Sequence, residues 1–160
     1  MQPYGSPARP AVDARTLWFG GVAAALVAAL VAVVGIVVAR GLFGIPVLAP
    51  KGQGAFGDAS TWQYALGAAL GALLATALLH VFLLFTPRPF AFFGWIVTLV
   101  TAVAVLIPFS TTAEIAAKVA TAVINLLIGI AVGTLVSSVG ARSLSRRPGQ
   151  FGAPTGYPEP

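Results

Sequence analysis

The stretch TAEIAAKVATAVINLLIGIAVG, residues 112–133, sets two opposite charges one helical turn apart and then runs apolar to its end, with Asn125 in its midst. A bilayer core of roughly 30 Å takes about 20 apolar residues in a helix, so the run is long enough to span one. Asn125 shares its four-residue spacing with Thr121, Gly129, Gly133 and Ser137. Glycines on that face let a neighbouring backbone approach, so the amide is expected to point into a bundle and not into lipid.

Three other segments meet the same length criterion. The expected helices are 17–39, 63–85, 91–107 and 113–139, with an outer loop at 40–60. Composition supports a membrane setting. Of 160 residues 58% are hydrophobic and 8% charged, whereas soluble domains carry roughly 25% charged residues. The mean hydropathy is +0.95. A net charge of +5 raises the question of nucleic acid, but the basic residues lie at the ends of apolar runs and form no stripe. The expected partner is the lipid bilayer, with no nucleic acid. The chain has no cysteine, which excludes disulfides, thiol catalysis and thiolate metal ligation.

Helix punctuation agrees with the count. Asp13 is placed to cap the first helix, and Ser60 with Gln63 and Thr111 with Glu114 have capping-box spacing. Gly41 follows the first helix, Pro87 and Pro89 follow the second, and Pro108 closes the third. The turns at 86–90 and 108–112 are too short to cross a bundle, so the second, third and fourth helices are expected to be antiparallel neighbours. The predicted fold is all-α, an integral membrane up-down four-helix bundle.

An even number of spans puts both termini on one side. Arg9, Arg15, Arg88, Arg142, Arg146 and Arg147 then face Arg40, Lys51 and Lys118, and six against three places both termini in the cytoplasm by the positive-inside rule. A cleaved signal peptide is the competing reading, but the first apolar run is too long for one. Trp18 and Trp95 mark the inner boundary, and Trp62 with Tyr64 the outer. The transmembrane domain is expected over 15–142. The tails 1–14 and 143–160, rich in Gly and Pro, are expected to be disordered. Tyr4 and Tyr157 read as solvated tail residues, with docking or phosphorylation as the alternative. The outer loop carries an apolar patch at Leu42, Phe43, Ile45, Val47 and Leu48. It is expected either to cover the bundle mouth or membrane surface, or to be a plain flexible loop.

The polar residues within the spans are the candidate site positions. Asn125 is expected to hydrogen-bond Thr98, Thr101 or Thr76 on a neighbouring helix and so to fix helix register. His80 reads as a neutral imidazole bonded to helix backbone or interfacial water, with a pH-sensitive gate as the sharper alternative. Glu114 and Lys118 are spaced for an ion pair at the outer end of the fourth helix; a substrate-binding acid is the alternative. Gly67 and Gly71 on the second helix, and Gly129 and Gly133 on the fourth, are expected to be helix-packing positions, as is the stripe Gly20, Ala24, Ala28 and Ala32 on the first. No mid-membrane acid or base offers a coupling site. No Walker loop, HExxH or GxSxG is present, so no catalytic residue, cofactor or metal is expected and the chain reads as no enzyme.

From about residue 15 to 142 the chain resembles a family of small actinobacterial membrane proteins of unknown function. The likeness is strongest in TPRPFAFFGWIVTLVTAVAVLIPFSTTAEIAAKVATAVINLLIGIAVG, residues 86–133. A basic inner turn, Trp95 at the start of the third helix, Pro108 at its end and a fourth helix opening on Thr and Ala carry it. The resemblance implies a plasma-membrane location and no particular activity. It also implies a His in the middle of the fourth helix, where Asn125 stands instead. The expected role is a structural or accessory subunit, associating with itself or with a larger envelope membrane complex. A small channel or transporter for a neutral or apolar solute is the alternative, and a sensor acting through its tails is a third class.

Overall fold

The computed structural model describes residues 12–50, 56–58 and 61–144. The expectations resting on Tyr4, Tyr157, Ser60, Lys51, Arg9, Arg146 and Arg147 lie outside the described residues, as does most of both tails.

Four helices follow one another: α1 (Ala14–Val37), α2 (Thr61–Phe85), α3 (Pro89–Leu106) and α4 (Ile115–Ser143). With the π-turn and 3-10 turn that extend α1 and α3, each is long and apolar enough to cross a membrane. Large apolar side chains such as Leu26, Leu74, Val100 and Ile130 stand more than half exposed around the bundle. A helix apolar on all sides is of the kind found in a core or in lipid.

The helix ends show where local chemistry decides. Asp13 caps α1 by accepting hydrogen bonds from the Thr16 amide and hydroxyl. Led by the Thr16 hydroxyl, these bonds hold the Asp13 carboxyl below the ordinary aspartate value. The Asp13 amide donates to the Ser143 carbonyl at 2.8 Å, and Val12 bridges to Leu144. The two ends of the bundle's chain are thereby tied together at residues assigned from sequence to the tails. Gly41 does not stop α1. The helix passes through it as a π-turn, Val38–Leu42, and stops at Gly44, whose φ of 64° suits a residue without a side chain. Pro89 opens α3, and Pro108 closes it through a 3-10 turn, Ile107–Ser110.

Near the end opposite the termini, residues 44–50 fold back over the bundle. Val47 is fully buried against Ile36, Ala39 and Ile124. The Leu48 amide donates to the Thr121 hydroxyl at 3.1 Å. From there β1 (Leu48–Pro50) pairs antiparallel with β2 (Phe56–Asp58) in the register Leu48 to Asp58. The apolar patch is divided by this arrangement, for Val47 and Leu48 close the mouth while Leu42 and Phe43 stay exposed.

Helix α1 packs closely along α2 and α4, and α3 leans chiefly on α4. Leu17, Ala24, Ala28, Ala72, Leu79, Phe93 and Val136 form the main core. Phe93 is the single residue of α3 buried in it. Small residues set the close approaches: a Cβ on Gly35 would meet Ile124 at 2.8 Å, and one on Gly140 would meet Leu79 at 2.5 Å. Because α3 touches α2 lightly, the bundle is not filled between α2, α3 and α4.

Candidate functional site

The gap is a cleft of about 840 Å³ bounded by α2, α3 and α4, within the roughly 300–1,000 Å³ of small-molecule sites. Its wall on α2 is a single helical face, Tyr64, Gly67, Ala68, Gly71, Ala75 and Leu78. Gly67 and Gly71 each look onto empty space, since a Cβ on either would find nothing within 4 Å. Both were expected to pack helices, and instead they give the cleft its width. A stripe of small residues looks the same in sequence whether a helix or a void faces it.

On α4 the expectation for the glycines holds. A Cβ on Gly129 would lie 2.8 Å from Thr101 Cβ and closer to its outer atoms, and one on Gly133 would meet Val97 at 3.2 Å. These contacts seat α3 on α4. A shallower groove of about 470 Å³ on the other side of that seam holds Thr98, Gly133 and Ser137.

Asn125 points into the cleft as expected, but toward other partners. Its Oδ1 accepts a hydrogen bond from the Tyr64 hydroxyl, and its Nδ2 donates to the Ala104 carbonyl at 2.7 Å. One amide thus joins three helices. Helices α2 and α4 run in the same direction, with Tyr64 level with Asn125. Thr76 therefore lies roughly 18 Å further along α2, at 1.5 Å per residue. It is buried and donates to its own Ala72 carbonyl at 2.9 Å. Thr101 and Thr98 sit one and two turns deeper on α3 than Ala104 and make no hydrogen bond among the described residues. The polar cluster lies toward the loop end, since Tyr64 is near the start of α2 and Ala104 near the end of α3. Thr121 completes it, donating to the Ala117 carbonyl while accepting from Leu48.

The Glu114 and Lys118 ion pair does not form. Glu114 is the N-cap of α4 in an extended conformation, outside the helix, so the spacing no longer brings the two side chains together. The Thr111 capping box fails for the same reason; the Thr111 hydroxyl donates instead to the Pro108 carbonyl at 2.8 Å. His80 does not border the cleft, and its ring lies 6.4 Å from that of Trp18. Its Nδ1 is buried and has no hydrogen-bond partner among the described residues, so no bond from that nitrogen to helix backbone is formed; the expectation of a bond to interfacial water is untouched by this. Among the described residues no three His, Asp or Glu side chains gather.

Tyr64, Ala104 and Gln63 belong to the cleft and were not among the expected site residues. A signal for Tyr64 exists in the sequence. It heads the Gly and Ala face of α2, where a polar ring at the rim of a small-residue stripe can reach across to a facing amide.

Fold and cleft together define an all-helical protein with four helices long and apolar enough to cross a membrane and a mostly apolar cavity among three of them, bordered by no charged side chain among the described residues. The chain belongs to the family of unknown function DUF6069, whose profile matches residues 12–142. No curated protein and no solved structure matches it.

Proposed function

We propose that the protein is a multi-pass protein of the cell membrane, both termini cytoplasmic, that acts without catalysis by holding a neutral, largely apolar solute in the α2, α3 and α4 cleft. The observation that carries this reading is the cleft's lining. Among the described residues no Asp, Glu, Lys, Arg or His borders it, and its polar groups are hydroxyls and amides at one end. An uncharged lining accepts apolar matter and offers nothing to neutralise an ion. The distribution of basic residues supports the orientation.

An accessory role, with the protein joined to itself or to a larger envelope complex, is favoured by one feature. The unfilled faces of Gly67 and Gly71 admit a partner helix as readily as a solute. The test is purification from the native membrane in mild detergent, followed by mass spectrometry of the intact complex. A bound small molecule released on denaturation, and lost in Gly71→Leu, supports the solute reading. A stoichiometric second protein, likewise lost in Gly71→Leu, replaces it with the accessory one. Solute flux across liposomes that disappears in Asn125→Leu would extend binding to transport.

A further inference from the structure

We propose that the cleft's ligand is a lipid with a long hydrocarbon chain and a small uncharged head bearing a hydroxyl or carbonyl. It enters sideways between α2 and α3 and sets its head at Asn125, Tyr64 and Thr101. This rests on the solute-binding reading above and names the class of solute.

Shape is the first argument. The cleft follows α2 from Gln63 to Leu78, roughly 22 Å at 1.5 Å per residue. That is most of the roughly 30 Å hydrocarbon core, so the void suits a chain laid along the helices better than a compact solute.

Polarity is the second. Toward the loop end stand Gln63, Tyr64, Thr121 and Asn125, with Thr101 one turn deeper. Beyond them Leu74, Leu78, Ile128 and Val132 present hydrocarbon alone. A primary amide has two N–H donors and two acceptor lone pairs. Tyr64 and Ala104 engage one of each at Asn125, which leaves one donor and one acceptor. The Thr101 hydroxyl has no partner among the described residues. Polar capacity left open in an apolar void is costly, and a hydroxyl or carbonyl head would satisfy it. A phosphate head would want Arg or Lys donors, and among the described residues none borders the cleft.

Access is the third. Leu48, Ile107 and Pro108 border the cleft at the loop end, and the Leu48 amide is tied to Thr121 there. The outward walls, Gly67, Gly71, Leu74 and Val100, are exposed. The open route is therefore from the side of the bundle, where a membrane-dissolved molecule arrives.

The test uses the full chain in liposomes with two photoreactive probes, a fatty alcohol and an alkyl phosphate, sharing one diazirine-bearing tail. Cross-linked peptides are mapped by mass spectrometry. The alcohol is expected to label 71–78 and 96–101 in preference to the exposed apolar surface of α1, saturably, and to lose that preference in Gly71→Leu. Thr101→Val breaks no internal hydrogen bond and should leave the fold intact. It is expected to raise the half-saturating alcohol concentration about threefold, the worth of one intramembrane hydrogen bond. The alkyl phosphate is expected to show no preference for the cleft. If both probes saturate the cleft alike, or Thr101→Val changes nothing, the uncharged-head assignment is overturned while solute binding stands. If neither probe prefers the cleft and a protein partner occupies it, both readings fall.

Discussion

Two glycines of equal helical character separate what packs from what opens, and substituting each by alanine measures the difference. Gly129→Ala and Gly71→Ala gain the same intrinsic helix propensity, up to about 1 kcal/mol, so their comparison isolates tertiary effects. At Gly129 the new Cβ falls 2.8 Å from Thr101 Cβ. Rotation of the Thr101 side chain relieves its outer atoms but not Cβ. Carbon atoms rest at about 3.5 Å, so the α3 backbone must retreat by at least about 0.7 Å. Ala104 lies one turn away and would move with it. Its 2.7 Å hydrogen bond from Asn125 would stretch to about 3.4 Å, beyond the usual range. Overpacking costs about 1–3 kcal/mol and a weakened intramembrane hydrogen bond about 0.6 kcal/mol. Gly129→Ala should therefore be about 2–4 kcal/mol less stable than Gly71→Ala. At Gly71 nothing lies within 4 Å, so that substitution should match or exceed the parent. Reversible unfolding in mixed micelles, followed by circular dichroism, reads both. Equal stabilities, or a costlier Gly71→Ala, would refute the assignment of one glycine to a seam and the other to a void.

Three further outcomes follow from single contacts. Tyr64→Phe removes the bond to Asn125 Oδ1 and should cost about 0.6–1.7 kcal/mol in the same unfolding assay; no loss would mean that the pair does not join α2 to α4. Thr121→Val keeps shape but removes the acceptor for the Leu48 amide. Faster hydrogen exchange at Leu48, with the helices unchanged, is the expected result, and unchanged exchange would show that the hydroxyl does not hold the loop. The Asp13 carboxyl titrates below its ordinary value of 3.8, chiefly through the Thr16 hydroxyl. A carboxyl depressed in the folded state contributes stability in full above the unfolded value and loses it as the pH falls through the folded one. Exchange at the Thr16 amide should accordingly rise on acidification below about pH 3.8, and this dependence should weaken in Thr16→Val.

The helices were legible because their signals are local. Proline cannot donate within a helix and restricts the residue before it, so Pro87, Pro89 and Pro108 mark boundaries wherever they stand. Asp13 needs only the next turn to cap α1. Cues offering several nearby solutions were read less well. Gly41 and Gly44 are both adequate helix stops, and the choice fell to the backbone that carries residues 44–48 back over the mouth. Thr111 and Glu114 compete to cap α4, and the 3-10 turn at Pro108 claims Thr111 first. That choice pushes Glu114 out of the helix, so one loop geometry removes both the capping box with Thr111 and the ion pair with Lys118, which share Glu114.

Depth is what the one-dimensional pattern lacks, and depth decided the site. Asn125 was legible as an inward amide because its four-residue spacing with glycines is a property of α4 alone. Its partners depend on how far α2 and α3 slide along α4, which no periodicity records. The structure sets Tyr64 beside Asn125, and Thr76 consequently faces Gly21 of α1. The same offset explains the cleft. Contact at Gly129 and Gly133 fastens α3 to α4, contact at Gly21 and Gly140 fastens α2 to α1 and α4, and α2 and α3 are left without a close seam of their own. Gly67 and Gly71 then border the space between them. A glycine pair that would tighten a three-helix contact at one offset widens a cavity at another, so the width of the cleft is a consequence of the register that Asn125 helps to hold.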